Sequence, residues 1–439
     1  MISRIGKLLV ETTGATRLDA AQALRATDVV LVVGDNCDAF LARSALALTL
    51  RCFTGTTVVR AASGGTIPTP VAQALHEEAA SYGAPEQLSF GGRGGGLTLG
   101  LACAVGDCFV DPRGWTVSVN ELGADHAAVS PPAAAFGAAA GVAKLFGALM
   151  GRDVRVREEA WTAPLLDFPP HGPQIAAEVD LGRVLLIGAG AIGSGLAYVM
   201  RGSPWRADLT LVDYQRYDEP NHETTLVVSK ETTLRQAPKA TALAARLRSS
   251  VLPVEAVQEK IVEGHRLLAE PFDALVCAVD NPELRCLLDG TAAGVVFNAG
   301  VGGSRDDAGM VLWTRHKRDE VPLSAHYRER EDPSTGVEVG PADVVTDECS
   351  RLSYASVSLA VPFMGLAAGA LLAAGLVQEA VRLAAPTNYL KVDMLGLQQW
   401  STRKVLKGSS SPKHGSMLAE PTTDGRRSGT SPRTVKRKR

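Results

Sequence analysis

One short stretch, residues 184–193, constrains the fold of this chain more than any other. Its four apolar residues run directly into the pattern Gly188-x-Gly190-x-x-Gly193, and a helix-forming segment follows. A second apolar run then ends in Asp213. Glycines permit a tight turn and let a phosphate approach the backbone, while the N-terminus of the next helix offers free N–H groups. The pattern predicts a strand–turn–helix–strand unit in which the turn binds phosphate and Asp213 binds ribose hydroxyls.

The overall composition narrows the class of protein. The chain has 439 residues, enough for two or three domains, and its 46% hydrophobic and 21% charged residues are typical of a globular protein. A net charge of −2 gives no general attraction to nucleic acid, so no specific nucleic-acid partner is expected. The seven cysteines include no Cys-x-x-Cys pair, and the start of the chain lacks a signal peptide. We therefore expect a reducing, cytoplasmic location.

An uncharged segment, residues 352–378, resembles a membrane span in length. Its middle is dominated by alanine and glycine, Pro362 interrupts it, and its first part carries several hydroxyl groups. Small residues let a helix approach its neighbours closely, which favours a buried helix packed against a sheet. The sequence therefore predicts no membrane partner.

The first part of the chain repeats the glycine-turn opening in a degenerate form. An apolar strand again ends in a glycine, Gly34, but Cys37 stands where a phosphate loop needs freedom. The next strand carries Arg60, which we place at the position of the ribose-binding acid. A small-residue helix beginning near proline closes each part, at Pro131 and at Pro362. These features predict a duplicated α/β fold with Rossmann-like, mostly parallel sheets that have helices on both faces.

The predicted domain boundaries follow from this duplication. Residues 1–150 form a degenerate, inactive adenylation-type domain, and the proline-rich residues 151–180 form a connection. Residues 181–405 form the active domain. Residues 406–439 are rich in Ser, Thr, Gly, Pro and basic residues, which predicts a disordered basic tail.

Ligands of open α/β sheets bind at the carboxyl ends of the strands. In the second domain the apolar runs end near Gly188, Asp213, Asp280 and Asn298. We therefore expect these residues to surround the site.

Further residues follow the glycine turn in a characteristic order. Asn221 comes soon after Asp213, and Lys239 stands at the start of a helical pattern. Asp280 follows the next strand, with Arg285 a few residues later. In order and spacing these features resemble the ThiF/MoeB/HesA family. Its members include the ubiquitin-activating enzymes, which adenylate the C-terminal carboxylate of ubiquitin-like proteins.

The resemblance covers residues 184–300 closely and 349–383 loosely, and it implies ATP and Mg²⁺ as cofactors. Gly188, Gly190 and Gly193 would cradle the phosphates together with Lys239, and Asp280 would hold Mg²⁺. Asp213 would bind ribose, and Asn221 a phosphate or ribose oxygen. Adenylation joins two anions, so its catalyst must position and neutralise charge rather than supply a general base. An NAD-dependent enzyme would leave Lys239 and Asp280 without an obvious task.

The chain departs from the family pattern at Thr224, where the family has an arginine. Family members are dimers or pseudo-dimers in which the neighbouring half donates an arginine from its N-terminus. Arg4 or Arg17 is our hypothesis for this cation, either within one chain that forms a pseudo-dimer or across a homodimer.

Cys349 precedes the small-residue helix, as does the thioester-forming cysteine of the ubiquitin-activating branch. A catalytic role and a structural role both stay open for it. The neighbouring Asp347 and Glu348 would raise the pKa of its thiol, which argues for the structural role.

The sequence thus predicts ATP-dependent adenylation of a ubiquitin-like protein or peptide with a free C-terminus, with thioester transfer to Cys349 as an option. The alternatives are an NAD(P)-dependent oxidoreductase and a pseudoenzyme that binds nucleotide and a partner protein. Each residue also has a plain structural interpretation. Lys239 can be a solvated lysine, Asn221 a turn residue, and Asp280-Asn281-Pro282 the cap of a helix.

Overall fold

The computed structural model describes residues 4–91, 95–123, 127–150, 160–169, 178–302, 309–317, 322–326, 361–383, 387–397 and 400–402. These lie in one compact unit, Met1–Lys407. A second unit, Gly408–Arg439, lies outside the described residues. Hereafter the first half is residues 4–169 and the second half is residues 178–402.

Seven strands form the first sheet, in the order β3-β2-β1-β4-β5-β6-β7. They are β1 (Val29–Val33), β2 (Thr57–Ala61), β3 (Leu88–Phe90), β4 (Leu97–Leu101), β5 (Cys108–Val110), β6 (Thr116–Val119) and β7 (Trp161–Pro164). The strands from β3 to β5 are parallel, and β6 and β7 run antiparallel to their neighbours.

Eight strands form the second sheet, in the order β10-β9-β8-β11-β12-β13-β14-β15. They are β8 (Asp180–Ile187), β9 (Arg206–Val212), β10 (Val254–Val257), β11 (Ala274–Cys277), β12 (Val295–Val301), β13 (Met310–Lys317), β14 (Tyr389–Asp393) and β15 (Trp400–Thr402). Again the first five strands of the order are parallel and the next ones antiparallel. Apart from the extra β15, the two halves share one strand order, which confirms the predicted duplicated, Rossmann-like α/β fold.

The helices connect and cover these strands. They are α1 (Arg4–Thr13), α2 (Arg17–Ala26), α3 (Ala39–Cys52), α4 (Thr69–Tyr82), α5 (Pro131–Leu149), α6 (Ala191–Arg201), α7 (Lys230–Leu234), α8 (Lys239–Leu247), α9 (Arg266–Ala269), α10 (Pro282–Leu287) and α11 (Pro362–Ala380). Short 3₁₀ helices lie at Pro85–Gln87, Glu219–Glu223, Leu288–Gly290 and Leu323–His326. In both halves a long helix, α5 or α11, precedes the same antiparallel strand of its sheet.

The small-residue helices α5 and α11 lie where the two halves meet. The ring centroids of Phe146 and Phe363 are 5.7 Å apart there. Gly365 and Gly369 of α11 pack against the backbone of α6 around Gly195, so closely that a Cβ atom at these glycines would collide with it. Both α5 and α11 have the length and composition of a membrane span, but 89% of each apolar window is buried inside the protein. Their alanine and glycine content therefore serves close packing against other helices and the sheets.

Candidate functional site

The three glycines of the turn after β8 differ in whether the surrounding protein would leave room for a side chain. Gly188 has a φ of 102°, and a Cβ there would lie 2.7 Å from the Ala278 carbonyl oxygen. Gly193 packs against the backbone of Gly188, so a side chain at either position would collide with the protein itself. A Cβ at Gly190, by contrast, would meet nothing within 4 Å. The protein requires two of the glycines, whereas the third leaves open space in front of the turn.

The helix that follows the turn begins without a capping side chain. Gly190 is the N-cap residue of α6, and among the described residues no side chain accepts a hydrogen bond from the first turn of this eleven-residue helix. The N-terminal N–H groups of a helix carry a partial positive charge and bind anions when no cap occupies them. The open space at Gly190 and the uncapped N–H groups of α6 therefore lie at the same place.

Hydrogen bonds link the glycine turn to Asp213 and Lys239 in an unbroken series. The Asp213 carboxylate accepts from the backbone N–H of Ala189 and from that of Gln215, both at 2.8 Å. The side-chain carbonyl of Gln215 in turn accepts from the Lys239 Nζ at 2.7 Å. Asp213 and Lys239, both predicted from the sequence, therefore lie together beside the turn.

Backbone pairing fixes where Lys239 stands. Its N–H donates to the Gln215 carbonyl at 2.9 Å, and the N–H of Tyr217 donates to the Ala237 carbonyl at 2.9 Å. Lys239 is the first residue of α8 and is only 9% exposed, which excludes the alternative of a fully solvated lysine. The hydrogen bond to the Gln215 side chain orients the ammonium group. Gln215 was not predicted as a site residue, because the sequence indicates it only by its position two residues after Asp213.

Asp280 lies on the loop after β11 that packs against the glycine turn. Arg285 holds this loop by donating to the Val279 carbonyl at 2.7 Å. Asn281 caps α10, accepting from the Leu284 N–H at 3.1 Å, as the structural interpretation of this motif predicts. Asp280 itself is exposed, and within the described part of the chain its carboxylate has no hydrogen-bond partner.

The donor set at Asp280 fits magnesium better than a metal held by protein alone. Mg²⁺ in nucleotide sites usually takes one or two carboxylates and completes its shell with phosphates and water. Across the described ranges no group of three or more His, Cys, Asp or Glu side chains could hold a metal ion. The exposed Asp280 carboxylate can serve as the protein ligand of such a shared ion.

Asn221 is 5% exposed and belongs to the 3₁₀ helix Glu219–Glu223. Its side-chain oxygen accepts from the Asp218 N–H at 3.2 Å in a capping box, and its backbone carbonyl accepts from the Thr225 hydroxyl at 2.8 Å. Thr224, which replaces the family arginine, is 1% exposed. The structural interpretation accounts for the oxygen of Asn221, and its contact with a nucleotide stays a prediction.

His222 and Asn298 are neighbours of the site. His222 contacts the Glu219 carbonyl through Nδ1, and burial lowers its pKa. The prediction that a strand ends near Asn298 is wrong. Asn298 nevertheless lies level with the carboxyl end of β11, because it pairs with Cys277, the last residue of that strand. β12 continues to Val301 because β13 pairs with it, and the Asn298 amide donates to the Thr314 hydroxyl at 3.3 Å.

For Arg4 and Arg17 the structure describes the backbone only. Arg4 begins α1 and Arg17 begins α2, and their side chains lie outside the described residues. Helix α1 contacts the 3₁₀ helix that carries Asn221. Cys349 lies outside the described residues.

The first half has its own version of the glycine turn, which is capped. Five residues separate β1 from α3, against three between β8 and α6. The Asp38 carboxylate at the start of α3 accepts from the N–H groups of Phe40 and Leu41, both at 2.9 Å. The N–H groups that could bind an anion are therefore occupied by the protein.

The pairing of β1 with β2 corrects the position that we predicted for the missing acid of the first half. Val33 pairs with Ala61 as Ile187 pairs with Val212, so Ala62 is the counterpart of Asp213. The prediction for Arg60 is wrong by two residues, because the strand extends beyond it.

Buried groups occupy the same edge of the first sheet. Burial strongly raises the pKa of the Cys37 thiol, which is 9% exposed. Asp111 is 1% exposed and pairs with Arg113 at 2.9 Å. These groups therefore occupy the carboxyl ends of strands in the first sheet.

A family model described as the BilD C-terminal domain matches residues 182–383, which is 202 of the 439 residues. The match therefore lies within the second half and amounts to less than half of the chain. No curated protein sequence matches the chain.

Solved structures with a similar fold include two of E. coli MccB and one of E. coli TcdA. MccB with MccA-N7isoASN is 13% identical at a TM-score of 0.38, covering 51% of this chain and 64% of MccB. MccB with ATP is 12% identical at a TM-score of 0.38, covering 67% and 94%. TcdA, a tRNA N6-threonylcarbamoyladenosine dehydratase, is 17% identical at 0.32, covering 46% and 86%. In the first of these comparisons this chain spans less than two thirds of the length of MccB. Similarity this low gives no information about the substrate of this chain.

Proposed function

We propose that this protein is an adenylyltransferase of the ThiF type. It uses ATP to activate the C-terminal carboxylate of a ubiquitin-like protein or of a peptide with a flexible C-terminus. The observation that carries the proposal is the series of hydrogen bonds from the glycine turn through Asp213 and Gln215 to Lys239. This series supports the proposal because it connects the Lys239 ammonium group to the turn from which α6 begins.

The reaction follows from this arrangement of charge. A carboxylate oxygen of the substrate attacks the α-phosphorus of ATP, and the bond to the β-phosphate oxygen breaks to release pyrophosphate. Both reactants are anions, so the protein must hold them together and offset the charge on the phosphates. Lys239 and the N-terminus of α6 supply positive charge, and Asp213 binds the ribose. Asp280 would hold Mg²⁺, which would supply further positive charge to offset the negative charge of the phosphates.

The substrate's identity and the later fate of the acyl-adenylate rest on the resemblance alone. Transfer to Cys349 as a thioester is part of the proposal. So are the contribution of Arg4 or Arg17, the pseudo-dimer formed by the two halves and the cytoplasmic location.

Exchange of labelled pyrophosphate into ATP tests the proposal. With Mg²⁺ and a synthetic peptide that ends in Gly-Gly, we expect peptide-dependent exchange, because adenylation is reversible. We expect none with the same peptide amidated at its C-terminus, since the amide cannot be adenylated. Binding of NADH in place of ATP would support the oxidoreductase alternative and contradict the proposal.

A second candidate function is a pseudoenzyme that binds nucleotide and a partner protein. Thr224 favours it, because the family's arginine is replaced by a buried side chain that hydrogen-bonds the Asn221 carbonyl. An Asp280→Asn variant with full biological function and no loss of ATP binding would support the pseudoenzyme.

A further inference from the structure

Residues 224–228 of the second half form a buried segment with no regular secondary structure. All five are buried, and the segment joins the 3₁₀ helix of Asn221 to α7, which leads to Lys239 at the start of α8. Backbone carbonyls buried outside helices and sheets need other hydrogen-bond partners, because leaving them unpaired is costly. The position of this segment therefore depends on which groups bind its carbonyls.

A side chain of the first half supplies two of these partners. Arg51, near the end of α3, donates from Nε to the Thr225 carbonyl at 3.0 Å and from Nη2 to the Leu226 carbonyl at 2.9 Å. These contacts join residues 174 and 175 positions apart in the chain. One guanidinium thus holds two consecutive carbonyls of the other half.

The surroundings of Arg51 hold it rigidly. Its Nη1 donates to the Ala47 carbonyl at 2.7 Å and lies 3.8 Å from the Glu78 carboxylate. The guanidinium also lies over the Tyr82 ring, 4.2 Å from its centroid. Arg51 is 3% exposed and Glu78 2% exposed. A buried, paired arginine with this many contacts has little freedom to move, so the carbonyls bonded to it are fixed too.

We propose that Arg51 is a positioning residue for the nucleotide site. Through it the degenerate half fixes the segment between Asn221 and Lys239. The link to the nucleotide rests on the proposed function, whereas the fixing of the segment does not. It gives the first half a task, although its own glycine turn is capped.

The experiment measures amide hydrogen exchange and ATP binding in the full chain. The N–H groups of Thr224 and Thr225 both donate to the Asn221 carbonyl and report on this segment. In Arg51→Lys, we expect their exchange without nucleotide to rise at least about tenfold, since a lysine cannot bind both carbonyls in the same plane. We also expect the Kd for ATP to rise about tenfold, because displaced groups bind the nucleotide less well.

A matched control separates positioning from general loss of stability. Phe40 lies on the same helix and stacks on Tyr198 of the second half, with centroids 5.4 Å apart, but is not part of the Arg51 network. We expect Phe40→Leu to lower the melting temperature while leaving the Kd for ATP within about twofold. If Arg51→Lys does not fold, Arg51→Met removes the guanidinium and leaves Glu78 paired with Arg43, whose Nε lies 2.9 Å from the Glu78 carboxylate.

The outcomes separate the two proposals. Unchanged exchange at Thr224 and Thr225, or an unchanged Kd for ATP in a folded Arg51 variant, would overturn the role of Arg51. If the wild-type chain binds no ATP, the proposed function fails. Exchange at the two threonines then still decides whether Arg51 fixes the segment.

Discussion

The two halves of this chain share one strand order but treat the turn after their first strand in opposite ways. In the second half the turn is three residues long and ends in Gly190, which leaves the first N–H groups of α6 uncapped. In the first half it is five residues long and ends in Asp38, whose carboxylate caps α3. The comparison shows that one fold carries two different turns. The proposed nucleotide site therefore depends on the open helix N-terminus and on Lys239 rather than on the fold alone.

The same contrast extends to the neighbouring strands. The second half places Asp213 where it can bond the turn, and the first half has Ala62 at that position. What the first half keeps is its packing surface, through α3 and α5, and the contacts of Arg51 with the other half. A first half without a nucleotide site, as we predict it, would therefore still have a structural task.

The largest effect is expected for Lys239→Ala. Removing the cation beside the phosphates should slow pyrophosphate exchange about 100-fold or more, because charge stabilisation of this kind is worth about 10²–10³ in rate. The matched control is Lys230→Ala, which removes an exposed lysine from the start of α7 and should leave the exchange rate unchanged. Equal rates for the two variants would mean that the second half does not use Lys239.

A large effect on ATP affinity is expected when the second half is given the cap of the first. In Gly190→Asp, the carboxylate has room, would occupy the N–H groups of α6 and would repel phosphate. We expect the Kd for ATP to rise about 100-fold while the free energy of unfolding changes by only a few tenths of a kcal/mol. Calorimetric titration and thermal unfolding measure both quantities. Gly190→Asn separates capping from charge and should give an intermediate Kd.

The reverse change in the first half should affect stability alone. Asp38→Ala removes two hydrogen bonds from the start of α3, which should reduce the free energy of unfolding by about 1 kcal/mol. We expect no new nucleotide site, because the Cys37 and Asp111 groups still occupy this edge of the sheet. Denaturant unfolding gives the first quantity, and a second bound ATP per chain would contradict the account.

The smallest effect concerns pH. Burial lowers the pKa of His222 in the folded protein, so the unfolded chain binds a proton more readily. The contribution of this group to stability is complete above the unfolded pKa of about 6.5 and is lost as the pH falls through the folded value. His222→Gln should therefore flatten the fall in stability below about pH 6.5. An equally steep fall in the variant would show that other groups cause it.

The sequence was sufficient for the fold because its signals are local. Apolar runs, the glycine turn and two small-residue helices predict strands, a phosphate-binding turn and close helix packing without knowledge of contacts. Asp213 and Lys239 could be predicted because each stands at the end or start of such an element.

Other parts of the site depend on contacts between distant residues. Gln215 is recognisable only once Lys239 is seen against it, and Arg51 only once its two carbonyl partners, more than 170 residues away, are known. The strand ends predicted at Arg60 and at Asn298 are wrong because the end of a strand is set by its neighbours in the sheet. Pairing with β13 extends β12, and the ladder with β1 extends β2 beyond Arg60.

The number of ATP molecules bound per chain tests the central claim most directly, since that claim gives the two halves different roles. A calorimetric titration with a non-hydrolysable ATP analogue and Mg²⁺ should give one site per chain in the wild type and in Asp38→Ala. It should give no measurable site in Gly190→Asp at the same concentrations. Two sites in the wild type, or wild-type binding in Gly190→Asp, would contradict the account.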